Sequence, residues 1–112
     1  MSPDTENMLP LAREATRLIK ALAHPERLMI CCQLREGELS VGQIETVLNI
    51  PQPRLSRELA KLRGDMILET RRESKSIFYS LKDERVREII DTLCRVMLSE
   101  TMTPPSLLSQ LA

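Results

Sequence analysis

A short capped helix, a tight turn and a second helix follow one another near the middle of the chain, and this succession restricts the fold more than any other feature. Ser40 is a typical N-cap residue, and Gln43 three residues later completes the pattern of a capping box. We predict a helix over residues 41–48, an Asn-Ile-Pro turn over residues 49–51 and a second helix over residues 52–63. Two helices joined in this way form a helix-turn-helix.

A β-hairpin is predicted directly after this motif. Residues 67–72 and 76–81 are rich in β-branched, aromatic or long side chains, which favour strands, and the polar residues 73–75 separate them. Gly64 and Asp65 are expected to end the preceding helix. Because few small architectures place a single hairpin with a polar tip at this point, we expect it to be the wing of a winged helix-turn-helix.

Helices are also predicted on both sides of this core motif. Apolar residues recur at helical spacing over residues 8–23. Pro25 suits the first turn of a second helix, and Gly37 is expected to end that helix. A last helix is predicted to start near Asp83. The fold class is therefore mainly α with a small β-hairpin, a winged helix-turn-helix in the order α-α-α-α-β-β-α.

The length of 112 residues suits a single domain. We assign residues 1–7 to a flexible N-terminal arm, residues 8–98 to the domain that binds DNA and dimerises, and residues 99–112 to a flexible C-terminal tail. Only 2% of the residues are aromatic, so the core must be aliphatic, and a chain this small often completes its core by dimerising. Three methionines are expected to fill gaps in that core: Met29, Met66 and Met97.

Positive charge is concentrated in the predicted motif, although the whole chain is neutral. Residues 51–75 contain seven basic and four acidic side chains, a net charge of +3. The exposed residues expected to bind DNA are Gln52, Pro53, Arg54, Ser56, Arg57 and Lys61 on the second helix of the motif, and Arg71, Arg72 and Lys75 on the hairpin. Gln and Arg are suited to reading adenine and guanine, whereas Ser and Lys are suited to phosphates.

Two other interpretations of this surface stay open at the level of the sequence. The charges are also compatible with ordinary solvated helix faces. A protein with the same fold but a surface that does not bind DNA can serve as a protein-interaction module without a chemical inducer. Arg54 and Arg57 favour DNA binding, because a helix face that does not bind DNA does not require two exposed arginines.

Three segments resemble the ArsR/SmtB repressors, and the nearest branch is the BigR/SqrR/HlyU-like one. The segments are "ALAHPERLMICCQL", "ELSVGQIETVLNIPQPRLSRELAKLR" and "ETRRESKSIFYSL". The resemblance implies a homodimer formed by the first and last helices, repression through an imperfect palindromic operator in double-stranded DNA, and an inducer. One departure is that residues 62–68 replace the usual Leu-Arg-x-x-Gly-Leu-Val run with a displaced glycine.

The resemblance also indicates where an inducer acts. In the sulfide- and redox-responsive branch, one cysteine lies on the second helix and another near the end of the last helix. Cys32 matches the first position, whereas the second falls on Leu98, one turn beyond Cys94. Cys94 can pair with Cys32 or with Cys31. Two alternatives are the sensing of arsenicals or soft metals by all three thiolates and cysteines that only pack in the core.

Other functions find little support in the sequence. His24 is the single histidine, so we expect neither a zinc site nor another metal site, and no cofactor. No catalytic motif is visible, and the chain is not expected to be an enzyme. No stretch has the length of a membrane span or the pattern of a signal peptide, so a cytoplasmic protein with no membrane partner is expected.

Overall fold

A computed structural model describes residues 5–99 and Gln110, and it contains five helices and three strands within this part of the chain. The strands form one antiparallel sheet in the order β1-β3-β2. In chain order the elements are α1 (Thr5–Leu22), α2 (Pro25–Leu34), β1 (Leu39–Ser40), α3 (Val41–Leu48), α4 (Arg54–Gly64), β2 (Leu68–Glu73), β3 (Ser76–Leu81) and α5 (Glu84–Met97). The predicted fold class, a mainly helical winged helix-turn-helix, is confirmed.

The helix α2 lies at the centre of the fold. It packs against α1, α3, α4 and α5 and also against β3. Ile30, Cys31 and Leu34 of this helix are fully buried. His24 caps its first turn through Nδ1, which accepts a hydrogen bond from the Glu26 amide. Every helix of the described part is therefore positioned relative to α2.

The capping box predicted from the sequence forms in full. The Ser40 hydroxyl accepts a hydrogen bond from the Gln43 amide at 3.2 Å, and the Gln43 carbonyl oxygen accepts one from the Ser40 amide at 2.8 Å. Helix α3 ends before Asn49, whose left-handed backbone (φ 55°) reverses the chain toward α4. The predicted bounds of α3 and β3 are confirmed. Asp83 also caps α5 as predicted, by accepting a hydrogen bond from the Arg85 amide.

Several predicted boundaries differ from the structure. Helix α1 begins at Thr5, so residues 5–7, which the sequence predicts to be part of a flexible arm, are helical. Helix α4 begins at Arg54, after Gln52 and Pro53, and it includes Gly64. The turn that follows the helix contains Met66, which has a positive φ of 64°. Strand β2 begins one residue later than predicted. The predicted C-terminal tail lies outside the described residues except for Ser99 and Gln110.

The two-stranded hairpin of the prediction is part of a three-stranded sheet. Leu39 and Ser40 pair with Tyr79 and Phe78 of β3, which places the wing against the start of α3. A strand of two residues is too short to show an alternating pattern, so no sequence pattern predicts β1. This third strand ties the hairpin to the helix-turn-helix.

The expectation that three methionines fill the core is wrong. Met29, Met66 and Met97 are 43%, 52% and 45% exposed. Met66 lies in the turn after α4, where its backbone has a positive φ. Its side chain is exposed and is not packed in the core. The buried core consists instead of Leu, Ile and Val side chains with Ala21 and Cys31. The aliphatic core predicted from the low aromatic content is confirmed.

A buried ion pair joins α2 to α4. Glu58 is only 9% exposed, and it is the buried charged residue of the described part of the chain. Arg27 donates to its carboxylate at 3.2 Å, and the Nε of the same guanidinium donates to the Ala21 carbonyl at 2.8 Å. Nδ1 of His24 lies 3.6 Å from the same carboxylate. This arginine therefore connects the end of α1 and the start of α2 to the middle of α4.

Replacement of Arg27 by methionine should lower the free energy of unfolding by about 3 kcal/mol, because it leaves the Glu58 carboxylate buried without its main partner. The double variant R27M/E58M should recover most of that loss. Urea unfolding at fixed protein concentration measures both effects. The control K61M removes an exposed pair with Asp65 and should cost less than about 1 kcal/mol. An R27M loss as small as that of K61M would contradict this assignment.

Candidate nucleic-acid interface and thiol pair

One face of α4 is buried and the opposite face is open to solvent. Leu55, Leu59 and Leu62 point into the core, which fixes the rotation of the helix. All nine residues predicted to bind DNA are exposed: Gln52, Pro53, Arg54, Ser56, Arg57, Lys61, Arg71, Arg72 and Lys75. The structure therefore leaves each of them accessible to a ligand, as an interface with DNA requires.

Gln52 is engaged with α4 itself. Its carbonyl oxygen accepts hydrogen bonds from both the amide and the hydroxyl of Ser56. This interaction supplies the first turn of α4 with a side-chain acceptor, since Pro53 at the N-cap position provides none. A bidentate contact of Gln52 with adenine would need that oxygen, so in the free protein only the amide NH₂ is available for recognition.

The basic side chains of this surface fall into two groups. Three are ion-paired within the chain: Arg54 with Glu26 at 2.9 Å, Lys61 with Asp65 at 3.3 Å, and Arg71 with Glu38 and Glu73. In the described part of the chain, the others have no acidic partner within 4.0 Å: Arg57, Arg72 and Lys75. The second group can bind a phosphate without breaking an internal pair.

Arg71 organises the wing. Its guanidinium binds the Glu38 carboxylate and, at 2.7 Å, the Glu73 carboxylate, and it lies 4.8 Å from the centre of the Phe78 ring. These two carboxylates raise the pKa of Arg71 further above its ordinary value. The residue therefore connects β2 to the segment before β1, and a contact with DNA would have to replace these partners.

Two cysteines distant in sequence meet between α2 and α5. The Sγ atoms of Cys32 and Cys94 are 3.8 Å apart, and both side chains are half-buried. The neighbouring Cys31 is fully buried in the core. The family position at Leu98 is exposed at the end of α5. Of the pairings left open by the sequence, the structure brings together Cys32 and Cys94.

Burial controls the ionisation of Cys31 and Cys32. The pKa of Cys32 rises to about 11, mainly because the side chain is partly buried and in addition because of its hydrogen bond with Cys94. Burial is also the main reason that the pKa of Cys31 rises to about 12. The thiolate is the reactive form of cysteine, so both residues are almost entirely in the unreactive thiol form near neutral pH.

The described residues contain no group of three or more His, Cys, Asp or Glu side chains arranged to hold a metal ion. Within the same residues, no helix is long and apolar enough to cross a membrane.

Comparison with known proteins gives a consistent result. The family described as "Bacterial regulatory protein, arsR family" matches residues 24–69. A biofilm growth-associated repressor from Agrobacterium fabrum is 49% identical over 82 residues, which are 73% of this chain and 70% of that protein. The crystal structure of the transcriptional repressor BigR from Xylella fastidiosa superposes with a TM-score of 0.81 at 41% identity, covering 88% of this chain and 100% of the other.

A second similar structure is described as homodimeric. It is the solution NMR structure of a winged helix-turn-helix DNA-binding domain from Mycobacterium bovis, a possible ArsR-family transcriptional regulator. The TM-score is 0.68 at 28% identity, and the match covers 86% of this chain and 89% of the other. The resemblance inferred from the sequence motifs is confirmed by these matches.

Alkylation of native protein should reveal the raised pKa of Cys32. Its reaction with iodoacetamide should be slow at pH 7 and accelerate by nearly tenfold per pH unit up to about pH 9, as the thiolate fraction grows. Peptide mapping by tandem mass spectrometry separates Cys32 from Cys31, and protein unfolded in guanidinium chloride is the control. If native Cys32 reacts at pH 7 as fast as in unfolded protein, the proposed effect of burial is wrong.

Proposed function

Because this chain belongs to the arsR family of bacterial regulatory proteins, we propose that it binds operator DNA as a homodimer and that its Cys32–Cys94 pair adjusts the affinity. It is a DNA-binding transcriptional regulator. The observation that carries the thiol part of the proposal is the 3.8 Å contact between Cys32 Sγ and Cys94 Sγ. Such a regulator acts in the cytoplasm, where thiols are kept reduced until an oxidant or a reactive sulfur species arrives.

DNA docking is proposed to follow the helix-turn-helix mode. The exposed face of α4 enters the major groove, where its N-terminal residues meet base edges. Arg57 has no acidic partner in the described residues and binds the phosphate backbone, as Ser56 and Lys61 also do. On the wing, Arg72 and Lys75 are available in the same way, and they contact the neighbouring backbone or minor groove.

The homodimer is proposed to form through α1 and α5. Both helices expose large apolar side chains that a single chain leaves in water: Met8, Leu9, Leu11 and Ile19 on α1, and Leu93 and Met97 on α5. Exposed apolar patches of this kind mark protein interfaces. Two-fold symmetry then presents two copies of α4 to two half-sites of an imperfect palindrome.

The thiol chemistry is a two-electron oxidation. With hydrogen peroxide, one cysteine thiolate attacks an oxygen, giving a sulfenic acid and releasing hydroxide. The second thiol attacks that sulfur, so that a Cys32–Cys94 disulfide forms and water leaves. With a persulfide, the thiolate takes the outer sulfur and a thiol leaves; attack by the second cysteine then closes the same disulfide and releases hydrogen sulfide.

Closure of this bond requires movement. The two sulfur atoms must approach from 3.8 Å to about 2.05 Å, which draws α2 and α5 together or rotates them. Since α2 also packs against α4, the change reaches the DNA-binding face. Binding of arsenicals or soft metals is less well supported, because Cys31 faces the core and the described residues contain no cluster of three ligands.

Charge introduced on α1 or α5 should dissociate the homodimer. Ile19→Glu and Leu93→Glu each place a carboxylate in the proposed interface, and the mass measured by sedimentation should fall toward the 12.8 kDa of one chain. Val47→Glu on α3, which replaces an apolar residue about as exposed as Ile19, is the matched control and should stay dimeric. If both interface variants sediment as the control does, the interface lies elsewhere.

Removal of Arg57 should weaken DNA binding through its phosphate contact. Arg57→Ala is expected to reduce affinity for operator and for unrelated DNA alike, and to lower the slope of log affinity against log salt by about one unit. Fluorescence anisotropy over a salt series measures this slope. Arg13→Ala removes an exposed cation from α1 and should leave the slope unchanged. An unchanged slope for R57A would exclude a phosphate contact by Arg57, and absence of binding by the wild-type protein would overturn the proposed function.

A further inference from the structure

Two ion pairs join the first turn of α2 to the first two turns of α4. Glu26 binds Arg54 at 2.9 Å, and the next residue, Arg27, binds Glu58 at 3.2 Å. Arg54 and Glu58 are four residues apart and therefore share one face of α4. The Arg27–Glu58 pair is buried and has a structural role, whereas the Glu26–Arg54 pair reaches the surface proposed to bind DNA.

The exposure of the two partners differs in a way that suits recognition. The Glu26 side chain is 20% exposed and the Arg54 side chain is 51% exposed, so the carboxylate lies beneath a guanidinium that is open to solvent. The shortest contact is made by Nη2 of Arg54. A guanidinium has five N–H donors in a planar fork, so donors remain for a second partner above it.

Helix electrostatics give Glu26 a second effect on Arg54. Arg54 is the first residue of α4, where the positive end of the helix dipole disfavours a cation, and the first turn of α4 contains no acidic residue. Glu26 lies in the first turn of α2, where the dipole favours an anion. The carboxylate is therefore stabilised in place, and it supplies the negative charge that Arg54 lacks within its own helix.

Resting on the proposed function, we propose that Glu26 is a positioning residue for DNA recognition, which holds Arg54 in the orientation that reads a guanine. Arginine recognises guanine by donating to O6 and N7 in the major groove. The carboxylate of Glu26 fixes the guanidinium from below and repels phosphate oxygens, so that Arg54 is directed to a base edge instead of the backbone. Glu26 thus contributes to sequence discrimination without touching a base.

Substitution of single guanines by 7-deazaguanine tests this role, because it removes the N7 acceptor and little else. The wild-type protein should bind more weakly when one particular guanine in each half-site is replaced by 7-deazaguanine. The affinity of Arg54→Ala should not change with the same replacement. Glu26→Gln should lose most of that sensitivity, and its preference for operator over unrelated DNA should fall by about two- to fivefold. Fluorescence anisotropy measures both quantities. The matched control is Glu36→Gln, which removes the same charge from an 84% exposed side chain after the end of α2.

A measurement without DNA separates positioning from a general loss of structure. The Nε–H resonance of Arg54, assigned by its absence in Arg54→Lys, should shift and exchange faster with water in E26Q, while the melting temperature changes little. If E26Q keeps the full 7-deazaguanine penalty of the wild-type protein, or if no guanine has a penalty that depends on Arg54, this inference is overturned. In both of these cases operator binding by the wild-type protein still upholds the proposed function.

Discussion

The burial of one helix, α2, between all the others is the constraint on which the rest of the structure depends. Its apolar side chains form the centre of the core, and both ends of the helix carry polar groups that face other helices. Glu26 and Arg27 in its first turn bind α4, whereas Cys32 further along contacts Cys94 of α5. A helix that packs against four others cannot shift at one end without disturbing its neighbours, because protein interiors are close-packed. The thiol pair and the DNA-binding face are therefore attached to the same rigid element.

The basic side chains of the motif have different roles although they look equivalent in the sequence. Arg57, Arg72 and Lys75 have no acidic partner in the described residues, so they can contribute to affinity through phosphates at little cost. Arg71 is held by two carboxylates and an aromatic ring, and it mainly shapes the wing. Arg54 lies between these cases, since its partner leaves part of the guanidinium open. Internal pairing thus separates residues that supply charge from residues that supply orientation.

Local chemistry made much of the fold predictable, and long-range geometry accounts for what was missed. The capping box of α3 depends on two residues three apart, so its bounds could be read from the sequence. The two-residue strand β1 exists only because β3 lies beside it. The Arg27–Glu58 pair spans 31 positions and has no local pattern. The family resemblance places the second thiol position at Leu98, but residues four apart share a helix face, and it is Cys94 that contacts Cys32.

Thermodynamic linkage provides the most direct test of the claim that the thiol pair controls DNA binding. If closure of the Cys32–Cys94 disulfide changes operator affinity, operator binding must change the stability of the disulfide by the same factor. The measurement is a redox titration in thiol–disulfide buffers, read by mass spectrometry, with and without saturating operator DNA. The account predicts that the midpoint potential shifts by about 20 mV or more, which corresponds to at least fivefold coupling for a two-electron couple. Coincident midpoints would contradict it, and the cysteines would then be packing residues without a regulatory role.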